Sequence, residues 1–89
     1  MKYVMHYEVD PSRLALARVH GEAHKARLLE FKSRGTLLMA GPFSNPLEGA
    51  LGIFTTRQAA DEFIAGDPFV LHGIVARHTV REWVEALAG

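Results

Sequence analysis

The residue of this chain best suited to chemistry is His24, and its neighbours single it out. It falls in the series Leu14, Ala17, Gly21, His24, Leu28 and Phe31, whose spacings alternate between three and four residues. Such spacing keeps every member on one face of a helix, so a titratable ring sits in a stripe otherwise turned toward the core. An imidazole there needs a hydrogen-bond partner or a cavity. Because it titrates near working pH it can serve as general base or acid, the structural alternative being a satisfied core histidine. Asp67, in Gly66-Asp67-Pro68-Phe69, is the natural carboxylate to fix its tautomer and orient its ring. Asp-Pro is also ordinary turn chemistry and on its own would carry no function.

His20 lies one helical turn before His24, so the two could share a metal. In His20-Gly21-Glu22-Ala23-His24, however, the glutamate stands third where a zincin motif has it second, and it points to another face. A third ligand would have to come from His6, His72, His78 or Asp67, none at a convincing spacing, so no metal site is expected. Gly41-Pro42-Phe43 has no further glycine to cradle phosphates, and Ser44 lacks the strand-turn-helix context of an activated serine.

The elements that must position these residues can be read from pattern. Tyr3 to Glu8, rich in β-compatible residues, reads as a first strand. Asp10 caps a helix with Pro11 at its first position, and the helix runs to about Arg34 and ends at Gly35. Lys25, Glu30, Lys32 and Arg34 lie away from the centre of the stripe and read as solvated. Thr36 to Ala40 forms a second strand closed by Gly41-Pro42, followed by a loop without regular structure from Ser44 to Gly49. Ala50 to Phe54 is the third strand, and Thr55 with Gln58 forms a capping box for a second helix that buries Ala59, Ala60, Phe63 and Ile64. After Gly66 comes a turn at Asp67-Pro68-Phe69, then a long strand from Ile74 to Val84. The order βαββαβ predicts an α+β, ferredoxin-like fold: a four-stranded antiparallel sheet with two helices on one face. The other face is left bare, which argues for pairing with a second copy.

A chain of 89 residues makes a single domain spanning 1–89, marginally stable alone, which again favours a homodimer. Ten basic and ten acidic residues cancel, and no basic run provides a footprint for nucleic acid or an anionic membrane. No apolar stretch is long enough for a membrane span, and Met1 to Tyr7 does not read as a signal peptide. The absence of cysteine excludes thiol catalysis and disulfides. A cytoplasmic protein with a small-molecule partner, without nucleic acid or membrane, is the expectation.

Three pieces in order, Glu22-Ala23-His24-Lys25-Ala26-Arg27-Leu28, Gly35 through Leu38 to Ala40-Gly41-Pro42, and Asp67-Pro68-Phe69 with Gly73, resemble the YciI-like family in spacing as well as type. The resemblance covers almost the whole chain. It implies a ferredoxin-like homodimer of the dimeric α+β barrel group, which also holds muconolactone isomerases. It implies further that His24 and Asp67 are the catalytic dyad and that no cofactor is needed, since one family relative removes chloride from a chlorinated hydroxyhydroquinone by proton-transfer chemistry. The substrate-binding residues on this reading are Gly41, Pro42, Phe43, Phe69 and His20. The loop after Pro42 differs among relatives, so substrate class does not transfer. Two functions stay open. One is a cofactor-independent lyase or isomerase of dehydrochlorinase type, acting on a small, oxygenated compound, aromatic or not. The other is a non-catalytic binding or regulatory module of the same fold.

Overall fold

The computed structural model describes residues 1–89. The chain runs through β1 (Lys2–Val9), a 3₁₀ turn (Pro11–Leu16), α1 (Ala17–Ser33), β2 (Leu37–Pro42), a second 3₁₀ turn (Pro46–Glu48), β3 (Ala50–Phe54), α2 (Arg57–Gly66), α3 (Pro68–Leu71) and β4 (Val75–Trp83). The strands make one sheet of order β2-β3-β1-β4 with every neighbouring pair antiparallel. This is the ferredoxin-like βαββαβ arrangement. Met5 and Tyr7 of β1 and Phe54 of β3 point to the helical side, where they share one core with Phe31, Ala59, Ala60, Phe63 and Ile64.

Local chemistry explains most element ends. Asp10 Oδ1 accepts the Ser12 backbone N–H at 3.0 Å and the Ser12 hydroxyl at 2.7 Å. The Arg13 N–H reaches back to the Asp10 carbonyl at 3.0 Å, so the first turns wind as a tight 3₁₀ helix and the α-helix begins only at Ala17. At the other end Gly35, at φ 80°, closes α1: its N–H bonds to the Lys32 carbonyl and the Thr36 N–H to that of Phe31.

Four expected elements differ from what the chain forms. The cap of α2 is Thr56, whose hydroxyl accepts the Ala59 N–H at 3.1 Å, and not Thr55 with Gln58. Thr55, just past the end of β3, has its N–H bonded to the Thr36 carbonyl at 2.9 Å. Gly41-Pro42 does not close β2 but belongs to it, pairing with Leu51 and Ala50. A proline is tolerated there because β2 is an edge strand and lacks a neighbour for the missing N–H. The loop after Pro42 contains one regular turn, capped by Asn45 Oδ1 accepting the Leu47 N–H. Asp67-Pro68-Phe69 opens a short helix, α3, because the Asp67 carboxylate accepts the Phe69 N–H and Pro68 occupies the first helical position.

The face of the sheet away from the helices carries Val4, Met39, Ile53 and Trp83, placed there by strand alternation and register. Met39 and Trp83 are exposed.

One glycine is required where β3 begins. Gly49 has φ 99°, and a Cβ built on it would lie 2.1 Å from the Tyr7 carbonyl oxygen. Gly49→Ala must therefore strain its backbone and push β1 and β3 apart. A loss of at least about 2 kcal/mol is expected, read from the urea midpoint by circular dichroism; an unchanged midpoint would show that this approach is not a constraint.

Candidate active site

Asp67 joins α2 to α3 and is the only charged or polar side chain fully buried in the molecule. A carboxylate out of water needs donors at both oxygens. Oδ2 accepts the Tyr7 hydroxyl from β1 at 2.7 Å. Oδ1 accepts the Phe69 backbone N–H at 3.1 Å and meets His24 Nδ1 at 2.7 Å. Three segments far apart in sequence thus converge on one group.

The contact fixes the imidazole's tautomer. The ionised carboxylate can only accept, so the proton between the two residues sits on His24 Nδ1 and the neutral ring presents its lone pair at Nε2. Nε2 has no partner within the chain and is not sealed from solvent. The ring is clamped on its face by Phe69, stacked at 3.8 Å between centroids and 6° between planes, and on its edge by Phe63 at 6.3 Å. Orientation, tautomer and one free nitrogen are all that a general base requires.

His24 lines a cavity of about 480 Å³ between α1 and the helical side of the sheet. Leu14, Ala17 and Leu28 of the α1 stripe face it, as do Gly41, Pro42 and Phe69. The wall is predominantly apolar, as is usual for sites that take small organic molecules. Phe43 and His20 stand elsewhere. Phe43 turns toward His6 on the other side of the sheet, 6.1 Å between centroids, because the strand carries on through Pro42. His20 stacks on His72 at 3.7 Å, outside this wall. His20 and His24 are thus drawn to different aromatic partners, and no group of three His, Cys, Asp or Glu side chains is placed to hold a metal ion.

Four residues whose place in the geometry the pattern did not give matter here. Tyr7 looks like any strand tyrosine, and only the fold shows that its hydroxyl meets Asp67. Arg27 donates Nε–H to the Phe63 carbonyl at 3.0 Å and Nη2–H to that of Glu62 at 2.8 Å. It thereby ties the last turn of α2, and Asp67 after it, to the helix that bears His24. Gly66 makes room for this clasp, since a Cβ there would come within 2.6 Å of the guanidinium. Lys25, expected to be solvated away from the stripe, is exposed yet also contributes to the cavity wall. Its reach, longer than helical spacing implies, is the signal that was available.

Fold and site together define a class: an α+β protein of ferredoxin-like fold with a carboxylate-held histidine in a cavity between its first helix and its sheet. The YCII-related domain model matches residues 1–84, and the chain belongs to that family. Among solved structures it is similar to 5-chloro-2-hydroxyhydroquinone dehydrochlorinase from Burkholderia phenoliruptrix AC1100, in complex with 2,5-dihydroxybenzoquinone, at a TM-score of 0.77 and 21% identity over 94% of each chain. At that identity the likeness establishes the fold. No curated protein sequence matches the chain. No helix is long and apolar enough to cross a membrane.

Burial raises the Tyr7 pKa well above the ordinary tyrosine value, and the neighbouring Asp67 charge pushes it the same way. The folded state therefore keeps a proton that the unfolded chain releases near pH 10, so this contribution to stability is complete below about pH 10 and declines as pH rises further. Tyr7→Phe leaves Asp67 Oδ2 without its donor and is expected to cost about 1–3 kcal/mol at neutral pH. The variant should also lose less stability than the parent between pH 9 and 11, in urea titrations run at each pH. Parallel pH profiles for the two proteins would refute the assignment.

Proposed function

We propose that this protein is a cofactor-independent enzyme that catalyses elimination or isomerisation on a small oxygenated compound. The observation carrying the proposal is the His24 ring, held at Nδ1 by buried Asp67 and free at Nε2 beside an apolar cavity. Nε2 takes a proton from the substrate, and the electron pair left behind forms a new π bond. In an elimination the leaving group departs with its own pair as an anion. In an isomerisation the imidazolium returns the proton to another atom of the same molecule. Asp67 orients the ring and stabilises its charged form. Similarity to a dehydrochlorinase bound to a dihydroxybenzoquinone supports proton-transfer chemistry on an oxygenated ring. Gly41, Pro42 and Phe69 form part of the substrate wall, whereas Phe43 and His20 would reach a ligand only after rearrangement.

A binding module without turnover is the competing reading. One observation favours it: the Tyr7 hydroxyl is engaged by Asp67, so no second oriented acid faces His24 from the wall. The two readings separate by experiment. Chloride release and absorbance changes would be followed with chlorinated hydroxyhydroquinones and small lactones. On any compound turned over, His24→Ala should lower kcat/KM by about 10²–10⁴-fold while the far-ultraviolet spectrum stays native. Full turnover by His24→Ala would rule out the general-base role, and ligand binding unaccompanied by turnover across the panel would favour the module.

The proposal includes a homodimer formed through the helix-free face of the sheet, where Val4, Met39, Ile53 and Trp83 would be covered. Light scattering at micromolar concentration should return twice the chain mass, and Met39→Asp with Trp83→Asp should shift it to that of one chain. A monomeric mass for the unmodified protein would refute this assembly.

A further inference from the structure

Lys25 follows His24 on α1 and stands in the wall of the same cavity. Its ammonium group has neither an ion-pair nor a hydrogen-bond partner, a state it shares with Arg18, Lys32 and Arg81, but it is the one lysine or arginine that lines the cavity. No acidic residue lines the cavity. Asp67, behind the His24 and Tyr7 side chains, is fully buried with both oxygens engaged. The polar inventory of the wall's side chains is therefore short. The Tyr7 hydroxyl is spent on its hydrogen bond to Asp67, His24 keeps Nε2, and Lys25 keeps a whole positive charge.

A cavity with these properties has a definite complement. Its apolar wall repels a strongly hydrated polyanion and offers nothing to a cation. An ion pair at its mouth, with an apolar wall on one side, is stronger than the same pair in bulk water and remains open to screening by salt. Its volume, about 480 Å³, sits toward the small end of organic ligand sites, which run to about 1,000 Å³. Lysine can lay its methylene stem along such a wall and hold its charged end over the opening.

We infer that the cavity selects compact, mostly apolar monoanions, and that Lys25 sets this preference by pairing with an ionised oxygen of the ligand while His24 Nε2 faces its reactive part. The inference rests on the cavity being the ligand site. It adds the charge of the substrate and names a specificity-determining residue. Neutral compounds of the same shape enter the cavity with less affinity because they leave Lys25 unpaired.

Two isosteric probes test this: 2-hydroxybenzoate, which carries a carboxylate, and 2-hydroxybenzamide, which is neutral. Binding to the intact protein would be measured by calorimetry at low ionic strength, with the His24 ring resonances followed by NMR. The carboxylate should bind about tenfold more tightly than the amide. Added salt should shrink the difference. In Lys25→Met the carboxylate should fall to the affinity of the amide, with the amide unchanged, and Lys25→Arg should restore the preference. Equal affinities in the parent protein, or a preference that survives Lys25→Met, would overturn the inference while leaving the cavity reading intact, provided both probes still move the His24 resonances. If neither probe moves them, the inference falls together with the cavity as the ligand site.

Discussion

The structure depends on one buried carboxylate. Moving an ion of this kind out of water costs several kcal/mol even after relaxation, and the loss is offset only where its lone pairs are met by well-placed donors. Asp67 has three of them, and each comes from a different segment: a strand hydroxyl, a backbone N–H in α3 and a helix imidazole. None of the three segments can move without leaving the charge short of a donor. A hydrogen bond to a charged group contributes about 1.5–3 kcal/mol, so together they hold β1, α1 and the α2–α3 junction in register with one another. The Arg27 clasp on the last turn of α2 acts in the same direction by fixing the backbone that delivers Asp67.

Much of the architecture was legible in the residues. The alternation of spacings from Leu14 to Phe31 identified a helix face, and Asp10, Pro11 and Gly35 marked its ends through physics confined to a few neighbouring residues. The fold class followed from the sequence of elements. His24 stood out because a polar ring in an apolar stripe demands a partner, and Asp67 was the carboxylate the topology could bring to it. The contact at 2.7 Å is one such partner. Whether the pair performs catalysis is a separate matter that geometry supports through the free Nε2.

What the pattern missed was set by tertiary contact. The Thr55 pattern fits a cap as well as Thr56 does, but the Thr55 N–H is bonded to the Thr36 carbonyl just past the ends of β2 and β3, and the helix starts one residue later. Pro42 looked like a terminator, yet it is harmless on an edge strand, and extension of β2 through it carries Phe43 to the far side. The one-turn spacing of His20 and His24 would let them share a metal, but the two rings diverge because His72 and Phe69 each offer a flat surface to stack on. Tyr7 carried no signal of its own, because alternation in β1 says which face a residue takes and not which atom waits there.

The distribution of packing also explains how so small a chain tolerates a cavity. Phe31, Phe54 and Phe63 gather into one aromatic cluster, with centroids 5.2 Å and 5.6 Å from Phe63 and no exposure above 1%. That end of the molecule is close-packed and carries most of the burial. The other end, where α1 begins and β2 runs along the edge, is left open, and part of its wall is small or conformationally restricted: Ala17, Ala40, Gly41, Pro42, Gly49. His24 stands at the boundary, its edge against Phe63 and its free nitrogen toward the open end. A base placed deeper would be desolvated and lose its proton affinity; one placed further out would lose the carboxylate that fixes its tautomer. The boundary satisfies both demands that the proposed base would make, and the close-packed cluster behind it holds the ring against the cavity.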